Sequence, residues 1–338
     1  MIGNINFIKI LLKGDPGQLL PVCGKSLYDS RCMTQLEIQG NLAYQQFENV
    51  IILEQVMRQE LDVGDLDQKM FIELLPRLRN GTCTEEDWKH LLKRKPTPSN
   101  KEEFSSSQRL FSENKECDKY NLERLSLLNT PVTLLMSLNN YNGRQLNSDH
   151  FMGLENLIYV SIGAQITLVT NLWKRNGLTN GTSGVIKDII YKENRENNDL
   201  PVAIIIHFPC YTGPQFFNDS DKHNWVPINK ISAFNMSSKA TRTNYPLKLG
   251  YATTIHKSQG STLSKGVVDF GKSERNLGSS FVALSRFKRF DSFLLEAHSF
   301  ERITKDILKS TMLKPRQLEE ERLEQLFNKT LEKYSDEV

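Results

Sequence analysis

The chain has 338 residues, of which 38% are hydrophobic and 25% charged. This composition excludes a disordered or fibrous protein, and the length allows two domains. The formal net charge of +3 neither indicates nor excludes a nucleic-acid partner, because a basic groove can lie on a balanced surface.

The cysteines and the apolar runs indicate which redox compartment suits the chain and whether a segment could cross a membrane. No C-x-x-C pair occurs among the five cysteines, which argues against zinc ribbons and disulfide frameworks and favours a reducing compartment. No apolar run reaches the ~20 residues needed to cross a bilayer, so no membrane partner is expected. The amino-terminal residues "MIGNINFIKILLKGD" show no cleavable signal pattern.

In chain order, the first elements alternate between strands and helices. Strands are predicted at "FIKILL" (7–12), "NVIIL" (49–53), "QRLFS" (108–112) and "PVTLLMSL" (131–138). Two short helices are predicted within 71–93, broken at "NGT", with Thr84 as the N-cap of the second and Asp87 as its capping acid. Residues 95–107 predict a linker. Apolar strands alternating with helices predict an α/β fold with a buried parallel sheet.

Residues 164 to about 234 show a different pattern. Three β-rich segments follow one another there without helix signals: "AQITLVTN", "SGVIKDIIY" and "PVAIIIHF". They predict a small antiparallel barrel or meander. The α/β pattern resumes at "YPLKLGYATTIHKSQG" (245–260), so the β-rich piece is predicted to be an insertion into a larger domain. From about Pro315 the spacing predicts a charged helix.

The segment "GDPGQLLPVCGKS" (14–26) ends in the Gly-Lys-Ser of a P-loop. A P-loop, G-x-x-x-x-G-K-[ST], would need glycine at position 19, which is Leu19, and Pro21 would remove an amide donor. We therefore reject that interpretation. Asp15 and Gln18 instead follow a predicted strand, where they could bind water, Mg²⁺-bound groups or a terminal phosphate. Taken alone, the spacing is equally that of a common Asp-Pro-Gly turn.

Five segments occur in a fixed order along residues 8 to 297. They are "GDPGQLLPV" (14–22), "LEQVMRQ" (53–59), "GAQITLVTNLWKRNGLTNGTSGVI" (163–186), "YPLKLGYATTIHKSQGSTL" (245–263) and "FVALSRFKRFDSFLL" (281–295). In order and spacing they resemble the motifs of superfamily 1 DNA helicases of the Pif-type and RecD-like branch, including Helitron helicase-like proteins. The resemblance implies an ATP-dependent helicase that moves 5′→3′ on single-stranded DNA, in the nucleus or the mitochondrion.

The resemblance also implies a domain organisation. The fold class is α/β: a RecA-like parallel-sheet domain with an inserted small antiparallel β-barrel, and a partial first RecA-like domain at the amino terminus. The expected divisions are a remnant of the first RecA-like domain (1–58), a helical segment and linker (59–107), the second RecA-like domain (108–163 and 245–300), the inserted β-barrel (164–244) and a charged helical tail (301–338).

Roles for particular residues follow from the same resemblance. Gln18, Arg58 and Arg286 are implied to be catalytic and to contact the γ-phosphate of ATP, where an arginine can contribute about 10³–10⁵ in rate. The implied nucleotide-binding set adds three residues: Asp15, Gln259 and Gly260. Phosphate contacts along single-stranded DNA, which position the strand without reading its sequence, are implied for Thr254, His256, Lys257, Ser258 and Thr262. Trp173 could either stack on a base or pack the barrel onto its parent domain.

Two motifs of the family are expected upstream of the "GDPGQ" strand, and neither occurs there. These are the P-loop and the Asp-Glu pair that holds Mg²⁺; the Asp-Glu pair of this chain is Asp336-Glu337, in the tail. We therefore expect a carboxy-terminal portion without metal ligands of its own, which would hold ATP and Mg²⁺ fully only with the missing amino-terminal helicase half. The alternative is a non-enzymatic remnant of a helicase or transposon that binds single-stranded nucleic acid.

Overall fold

A computed structural model of the chain describes residues 10–21, 24–31, 34–60, 64–140, 143–194, 199–274 and 276–335. The chain divides into two compact units, one drawn from residues 1–95 and 270–338 (unit 1) and the other from residues 96–269 (unit 2).

The first four elements of the described chain are helices, and strands dominate the middle. The α-helices are α1 (Gln35–Gln45), α2 (Leu66–Asn80), α3 (Glu85–Leu92), α4 (Pro98–Lys101), α5 (Asn114–Ser126), α6 (Ser279–Leu284), α7 (Phe300–Ile303), α8 (Lys305–Leu308) and α9 (Leu313–Tyr334). The strands are β1 (Gln108–Phe111), β2 (Thr133–Met136), β3 (Leu138–Asn139), β4 (Leu157–Val160), β5 (Gln165–Leu168), β6 (Ser183–Ile190), β7 (Ala203–His207), β8 (Trp225–Ile228), β9 (Ile231–Asn235), β10 (Ala240–Asn244), β11 (Leu247–Leu249), β12 (Ala252–Thr254), β13 (Gly266–Asp269) and β14 (Phe293–Leu295).

Unit 2 contains the parallel sheet that the sequence predicts. Strand β1 lies between β12 and β13 and is parallel to both, with Phe111 opposite Thr254 and Leu110 opposite Val268. Helix α5 packs on this sheet, and its Asn121 side chain bonds both the N–H and the C=O of Ala252 at 2.8 and 3.2 Å. The expected α/β class with a parallel sheet is confirmed.

The β-rich middle of unit 2 pairs in antiparallel fashion. Five strands form a sheet in the order β11-β5-β6-β7-β8, and three more form the order β3-β10-β9. Branched apolar side chains fill the core beside the larger sheet, where Ile166, Ile186, Ile204 and Ile206 are fully buried. The β-rich segments without helix signals were thus correctly predicted to pair as antiparallel strands.

Unit 1 packs its helices around aromatic side chains. Phe71 of α2 contacts Phe290 and Phe293, with ring centroids 5.8 and 5.4 Å apart. Helix α3 begins with the predicted capping box, because the Thr84 hydroxyl accepts from the Asp87 N–H while the Asp87 carboxylate accepts from the Thr84 N–H. The break between α2 and α3 is also as expected: Gly81 ends α2 in the left-handed region, with φ +70°.

Two predicted strands are wrong where the structure describes them. Residues 10–12 and 49–53 have no regular secondary structure, and residues 7–9 lie outside the described ranges. Ile51 and Leu53 are 78% and 84% exposed. A strand requires a neighbour that pairs its backbone groups, and within the described part of the chain no strand pairs with either segment. The predicted linker at 95–107 is interrupted by the short helix α4.

The tail forms the predicted charged helix, α9, which starts at Leu313. Its first turns bury charge as well as Leu313: Arg316 donates to the Arg79 carbonyl and the Asn80 side chain at 3.0 and 2.8 Å. The C-terminal end of α2 is thereby held by a cation, which the helix dipole favours. In the described part of the chain no helix has both the length and the hydropathy needed to cross a membrane.

Candidate functional site

The turn at Gly14–Gln18 in unit 1 is built around Asp15. The Asp15 carboxylate accepts from the Gly17 N–H at 2.8 Å, and the Gln18 N–H closes the turn on the Asp15 carbonyl at 3.1 Å. The same carboxylate binds the Arg79 guanidinium at 2.8 Å. Arg79 is largely buried, which opposes its charge, but the carboxylates of Asp15 and Glu320 raise its pKa. Asp15 therefore holds the turn against α2.

Arg58 and Arg286, the two predicted arginines, meet at Ser285. Arg58 Nη1 donates to the Ser285 carbonyl at 3.1 Å, and Arg286 Nη2 donates to the Ser285 hydroxyl at 2.8 Å. Gln59 joins them, donating to the carbonyls of Ser285 and Phe287 at 3.3 and 3.0 Å. Ser285 and Gln59 were not predicted as site residues, although each is adjacent to one of the two arginines in the quoted motifs.

Arg286 is charged although it is buried. Its side chain is 2% exposed, and its Nε donates to the Val282 carbonyl at 2.9 Å. Burial, with a smaller contribution from the charge of Arg58, lowers the pKa of Arg286 to about 10. The guanidinium therefore remains protonated at pH 7, and it is held in one orientation by the helix that it follows.

The short helix α6 joins the turn to the arginines. Gly278, at the N-terminal end of α6, has φ +88°, and a Cβ there would lie 2.8 Å from the Gly17 carbonyl and 3.2 Å from that of Gln18. Ser285 follows the other end of the helix. A helix of this length spans about 9 Å. The structure thus gathers Gln18, Arg58 and Arg286 around one helix, with Gln18 at its start and the arginines at its end.

A buried ion pair holds the start of α6. The Glu274 carboxylate accepts from the Ser280 N–H and hydroxyl at 3.1 and 2.6 Å and pairs with Arg302. Arg302 also donates to the Phe270 carbonyl at 2.8 Å. An acid at a helix N-terminus is favoured by the helix dipole. Glu274 and Arg302 therefore position the helix that carries the arginines, and no sequence pattern had indicated either of them.

The described residues do not fit a Mg²⁺ site. They contain no group of three His, Cys, Asp or Glu side chains that could hold a metal ion. Magnesium is usually held by one or two carboxylates together with waters and the phosphates of a nucleotide, and the Asp15 carboxylate, the acid predicted to lie beside the nucleotide, is engaged by Arg79. The roles described below for these residues therefore do not involve a metal ion that they bind themselves.

Two Gly-Lys-Ser segments can be tested as phosphate cradles. Lys25 donates to the Arg31 carbonyl at 2.6 Å and to the Glu37 carboxylate at 3.3 Å, so its ammonium is already engaged. A second segment, residues 266–273, matches every position of G-x-x-x-x-G-K-[ST], although it was not among the predicted motifs. There the first four residues are strand β13, and the next described helix, α6, begins only at Ser279. A phosphate cradle needs those residues in a loop that opens a helix, so neither segment forms one.

The predicted nucleic-acid segment lies in unit 2, at the carboxyl end of β12. The Ile255 N–H bonds the Phe111 carbonyl at 2.9 Å, so the loop leaves the sheet beside the end of β1. The Ser258 N–H closes the first turn of the loop on the Thr254 carbonyl at 3.1 Å. In parallel α/β sheets, ligands bind outside the carboxyl ends of the strands. The segment therefore lies where a ligand of this sheet would bind.

Side chains of this loop divide into exposed and buried groups. Lys257, Gln259, Gly260 and Thr262 are exposed. Thr254 and Ser258 are 6% and 2% exposed, and the Ser258 hydroxyl donates to the Ile255 carbonyl at 2.8 Å. The exposed residues are therefore placed to meet a ligand, whereas the two buried hydroxyls stabilise the turn.

His256 is half-buried and contributes no positive charge near neutral pH. Burial lowers its pKa below the ordinary value for histidine. The cation of this loop is therefore Lys257.

A second lysine, Lys248, lies near Lys257. It belongs to β11, within a quoted motif, but it was not predicted as a site residue. Burial, followed by the charge of Lys257, lowers the pKa of Lys248. Its side chain has no hydrogen-bonding or ionic partner among the described residues. The sequence feature that could have identified Lys248 is its position as a basic residue near the start of the motif predicted to contact nucleic acid.

The predicted site residues therefore form two groups. Asp15, Gln18, Arg58 and Arg286 belong to unit 1, whereas Thr254, His256, Lys257, Ser258 and Thr262 belong to unit 2. Gln259 and Gly260, which the resemblance assigned to the nucleotide, lie on the same unit 2 loop as the residues assigned to nucleic acid.

Sequence comparison finds relatives among Pif1 helicases. The ATP-dependent DNA helicase Pif1 of Campylobacter jejuni is 30% identical over 185 residues, which cover 51% of this chain and 38% of that protein. The Xenopus laevis ATP-dependent DNA helicase PIF1 is 28% identical over 294 residues, which cover 84% of this chain and 40% of that protein. The chain thus spans about two fifths of the length of these relatives. No protein-family model matches the chain.

Solved structures agree with the sequence relatives at the level of the fold. The Pif1 helicase of Candida albicans aligns with a TM-score of 0.59 at 21% identity, over 75% of this chain and 57% of that one. A Bacteroides Pif1 bound to single-stranded DNA aligns with a TM-score of 0.57 at 17% identity, over 86% of this chain and 62% of that one. Together with the relatives by sequence, they confirm the resemblance drawn from the five motifs: this chain is a relative of the Pif-type superfamily 1 helicases.

Proposed function

We propose that this chain acts as part of an ATP-dependent helicase that moves 5′→3′ along single-stranded DNA. The observation that carries the proposal is the placement of the 254–262 loop at the carboxyl end of a parallel strand, with Lys257 exposed. The relatives named above are ATP-dependent DNA helicases, and a similar Bacteroides Pif1 was solved with ADP-AlF3 and single-stranded DNA. The inserted barrel and the partial first RecA-like domain belong to the same proposal.

In this proposal unit 2 supplies the nucleic-acid contact. An exposed ammonium and exposed backbone N–H groups bind phosphate oxygens without reading bases. Gly260 has φ +85°, and a Cβ at that position would meet nothing within 4 Å, so the backbone of the loop is open to a ligand. His256 remains neutral near pH 7, so it would act as a hydrogen-bonding group rather than as a counter-ion.

Unit 1 would supply the contact to the nucleotide. ATP, when bound, provides the phosphoryl group whose transfer releases free energy, and positive charge beside its γ-phosphate lowers the barrier. Arg58 and Arg286 are the guanidinium groups available for this role, and Gln18 lies at the other end of the same helix. Because the described residues hold neither a phosphate cradle nor a magnesium site, these groups would act on a nucleotide held by polypeptide other than the described residues.

Binding of the chain to a fluorescent oligothymidylate, measured by anisotropy over a range of salt concentrations, tests the nucleic-acid contact. Lys257→Ala should weaken binding and reduce the slope of log K against log salt by about 0.7–1. Lys265→Ala is the matched control, since it also removes one positive charge from unit 2. Its ammonium is already paired with Glu103 at 2.6 Å, so it should change the slope less. An unchanged slope in Lys257→Ala would contradict the assignment.

Binding of single-stranded nucleic acid without ATP hydrolysis is the second candidate function. It is favoured by the structure of 266–273, where the first half of the P-loop pattern is strand β13 and not a phosphate loop. DNA-stimulated ATP hydrolysis by the chain alone separates the two candidates. If it occurs and is lost in Lys272→Ala or Lys25→Ala, the assignment of both Gly-Lys-Ser segments is wrong. Without hydrolysis, helicase activity would have to be sought after adding the amino-terminal half of a Pif-type helicase.

A further inference from the structure

An apolar groove opens on the antiparallel part of unit 2, and none of the residues assigned above to the nucleotide or to nucleic acid lines it. Its floor is formed by Leu172, Leu178, Val226 and Ile228, and it encloses about 240 Å³. Two aromatic side chains stand at its rim: Trp173 is 40% exposed and Phe216 is 48% exposed. Sites for whole small-molecule cofactors are usually about 300–1,000 Å³, so this groove suits a smaller flat group.

The two rim aromatics share a buried neighbour. Tyr211 is 4% exposed, and its ring lies 6.3 Å from that of Trp173 and 6.2 Å from that of Phe216, centroid to centroid. The Tyr211 hydroxyl donates to the Pro214 carbonyl at 2.9 Å, which fixes the segment that leads to Phe216. Each rim ring therefore has one face or edge against Tyr211 and a large part of its surface open to solvent.

The loop that carries Trp173 is closed by backbone hydrogen bonds. The Trp173 N–H donates to the Leu178 carbonyl and the Leu178 N–H donates to the Trp173 carbonyl, at 2.9 and 3.1 Å. Residues 174–176 form a 3₁₀ turn, and the Thr212 N–H bonds the Asn176 carbonyl at 3.4 Å. The two rim segments are thus tied together, so a ligand would meet a preformed site and lose little conformational freedom by ordering it. The Trp173 indole N–H has no hydrogen-bond partner among the described residues.

Positive charge borders the groove. Lys174 and Arg175 follow Trp173 directly, and Lys230 follows Asn229 of the groove wall; all three are exposed. None of the three is paired with a carboxylate in the described part of the chain. On the next segment, Asp219 is engaged by Lys222 at 3.1 Å. Asp221 of the same segment is exposed and has no ionic partner in the described part of the chain. The three unpaired cations therefore outnumber the one unpaired carboxylate of these segments.

We propose that this groove is a stacking site for a base of single-stranded nucleic acid, with Trp173 and Phe216 against the base and Lys174, Arg175 and Lys230 beside the phosphates. Aromatic faces combined with a basic border are the chemistry that binds single strands with little sequence preference. The inference rests on the proposed nucleic-acid function and adds a second contact on a separate part of unit 2. It also resolves the alternatives for Trp173 in favour of stacking.

The test measures binding of the full chain to a fluorescent oligothymidylate of about 16 nucleotides and to an abasic deoxyribose-phosphate strand of the same length. Trp173→Ala should weaken binding to the oligothymidylate about 5- to 150-fold, the range expected for the loss of one stacked base. It should leave binding to the abasic strand unchanged, because that strand carries the same charge without bases. Trp173→Phe should restore most of the affinity.

Tyr159→Ala is the matched control, because Tyr159 is also in unit 2 and is 39% exposed. It should bind both strands as the unchanged chain does. Lys174→Ala with Lys230→Ala should reduce the salt slope for the oligothymidylate by about 0.7 per lysine. Near-ultraviolet circular dichroism of each variant shows whether its aromatic packing is native.

Each remaining outcome overturns the inference in an identifiable way. If Lys257→Ala weakens binding and Trp173→Ala does not, the groove is not a stacking site, although the proposed function stands. Equal loss on both strands in Trp173→Ala would show a structural role for this ring. If the unchanged chain binds neither strand, the proposed function fails together with the inference. Binding of a proline-rich peptide that is lost in Trp173→Ala, with DNA binding unaffected, would assign the groove to a protein partner.

Discussion

The arginines of unit 1 and the lysines of unit 2 are both candidates for binding phosphate, but they differ in burial. Arg286 is 2% exposed and bonds a carbonyl and a hydroxyl of its own segment, whereas Lys257 is exposed. A guanidinium presents five donors in a plane that protein oxygens can satisfy, while an ammonium is compact and strongly hydrated. Substitution of the arginine should therefore alter folding and function together, whereas substitution of the lysine should report on binding alone.

The largest effect is expected where a buried charge is left without its partner. Glu274→Ala removes the carboxylate that Arg302 faces in the interior of unit 1, where the two side chains are 0% and 3% exposed. The expected loss of unfolding free energy is about 3–5 kcal/mol, because a buried guanidinium remains uncompensated. Urea denaturation followed by circular dichroism measures it.

An exposed ion pair of unit 2 is the control for this prediction. Glu103→Ala removes the partner of Lys265, and the Glu103 side chain is 62% exposed. The expected cost is about 0–1 kcal/mol, because water replaces the lost partner. Equal costs for Glu103→Ala and Glu274→Ala would contradict the contrast between the two units.

Arg286→Met and Lys257→Met compare the two candidate phosphate ligands directly. Each removes one positive charge and keeps an unbranched side chain. Arg286→Met should lower the unfolding free energy by about 2–3 kcal/mol, since hydrogen bonds from a charged donor to buried oxygens are lost. Lys257→Met should change it by less than about 0.5 kcal/mol. The contrast fails if thermal or urea unfolding shows the lysine variant to be as unstable as the arginine variant.

Gly278→Ala tests the contact between α6 and the Gly14–Gln18 turn. A left-handed φ costs an alanine about 1–2 kcal/mol, and the added methyl group would press on the Gly17 carbonyl. Gly14→Ala, in the same turn region, is the control, because a Cβ there meets nothing within 4 Å. Similar unfolding midpoints for the two variants would show that the close approach at Gly278 does not constrain the turn.

Acid should weaken unit 1 through its buried histidines. Burial lowers the pKa of His298 and of His90 in the folded chain, so both prefer to be neutral there. Their contribution is fully present above about pH 6.5, the value for unfolded histidine, and is lost as the pH falls through their lower folded values. The unfolding free energy should therefore decrease as the pH falls from about 7 to about 5.

Substitution of His298 tests whether the buried histidines cause this pH dependence. Its Nε2 is buried without a hydrogen-bond partner among the described residues. His298→Gln should make the unfolding free energy less dependent on pH, whereas substitution of the exposed His150 by Gln serves as control. An unaltered pH dependence in His298→Gln would assign the acid sensitivity to other groups.

Local signals in the sequence were reliable where neighbours in the chain make the structure. The capping box of α3 needs only Thr84 and Asp87, which are three residues apart, and it was predicted correctly. The strands at 7–12 and 49–53 were predicted from apolar content alone. A strand also needs a pairing partner that is distant in sequence, and apolar content contains no information about that partner.

The candidate sites also divide into features that neighbouring residues specify and features that depend on residues distant in sequence. Motif order along the chain named Gln18, Arg58, Arg286 and Lys257. It did not show that Arg58 and Arg286 meet at Ser285, that Glu274 and Arg302 hold the helix between them, or that Ser258 is buried. The P-loop pattern at 266–273 is the converse case, since all its sequence positions match but its first four residues belong to strand β13.

The sequence by itself determined the α/β class, the antiparallel pattern of the middle region, the helix caps and the kinship with Pif-type helicases. Each of these depends on residue spacing along the chain, which the sequence contains in full. Only the tertiary structure decided which charges are buried, which glycine faces a carbonyl and which aromatic rings border a groove. Burial, desolvation and close approach arise between residues that are far apart in sequence, and they exist only after the chain has folded.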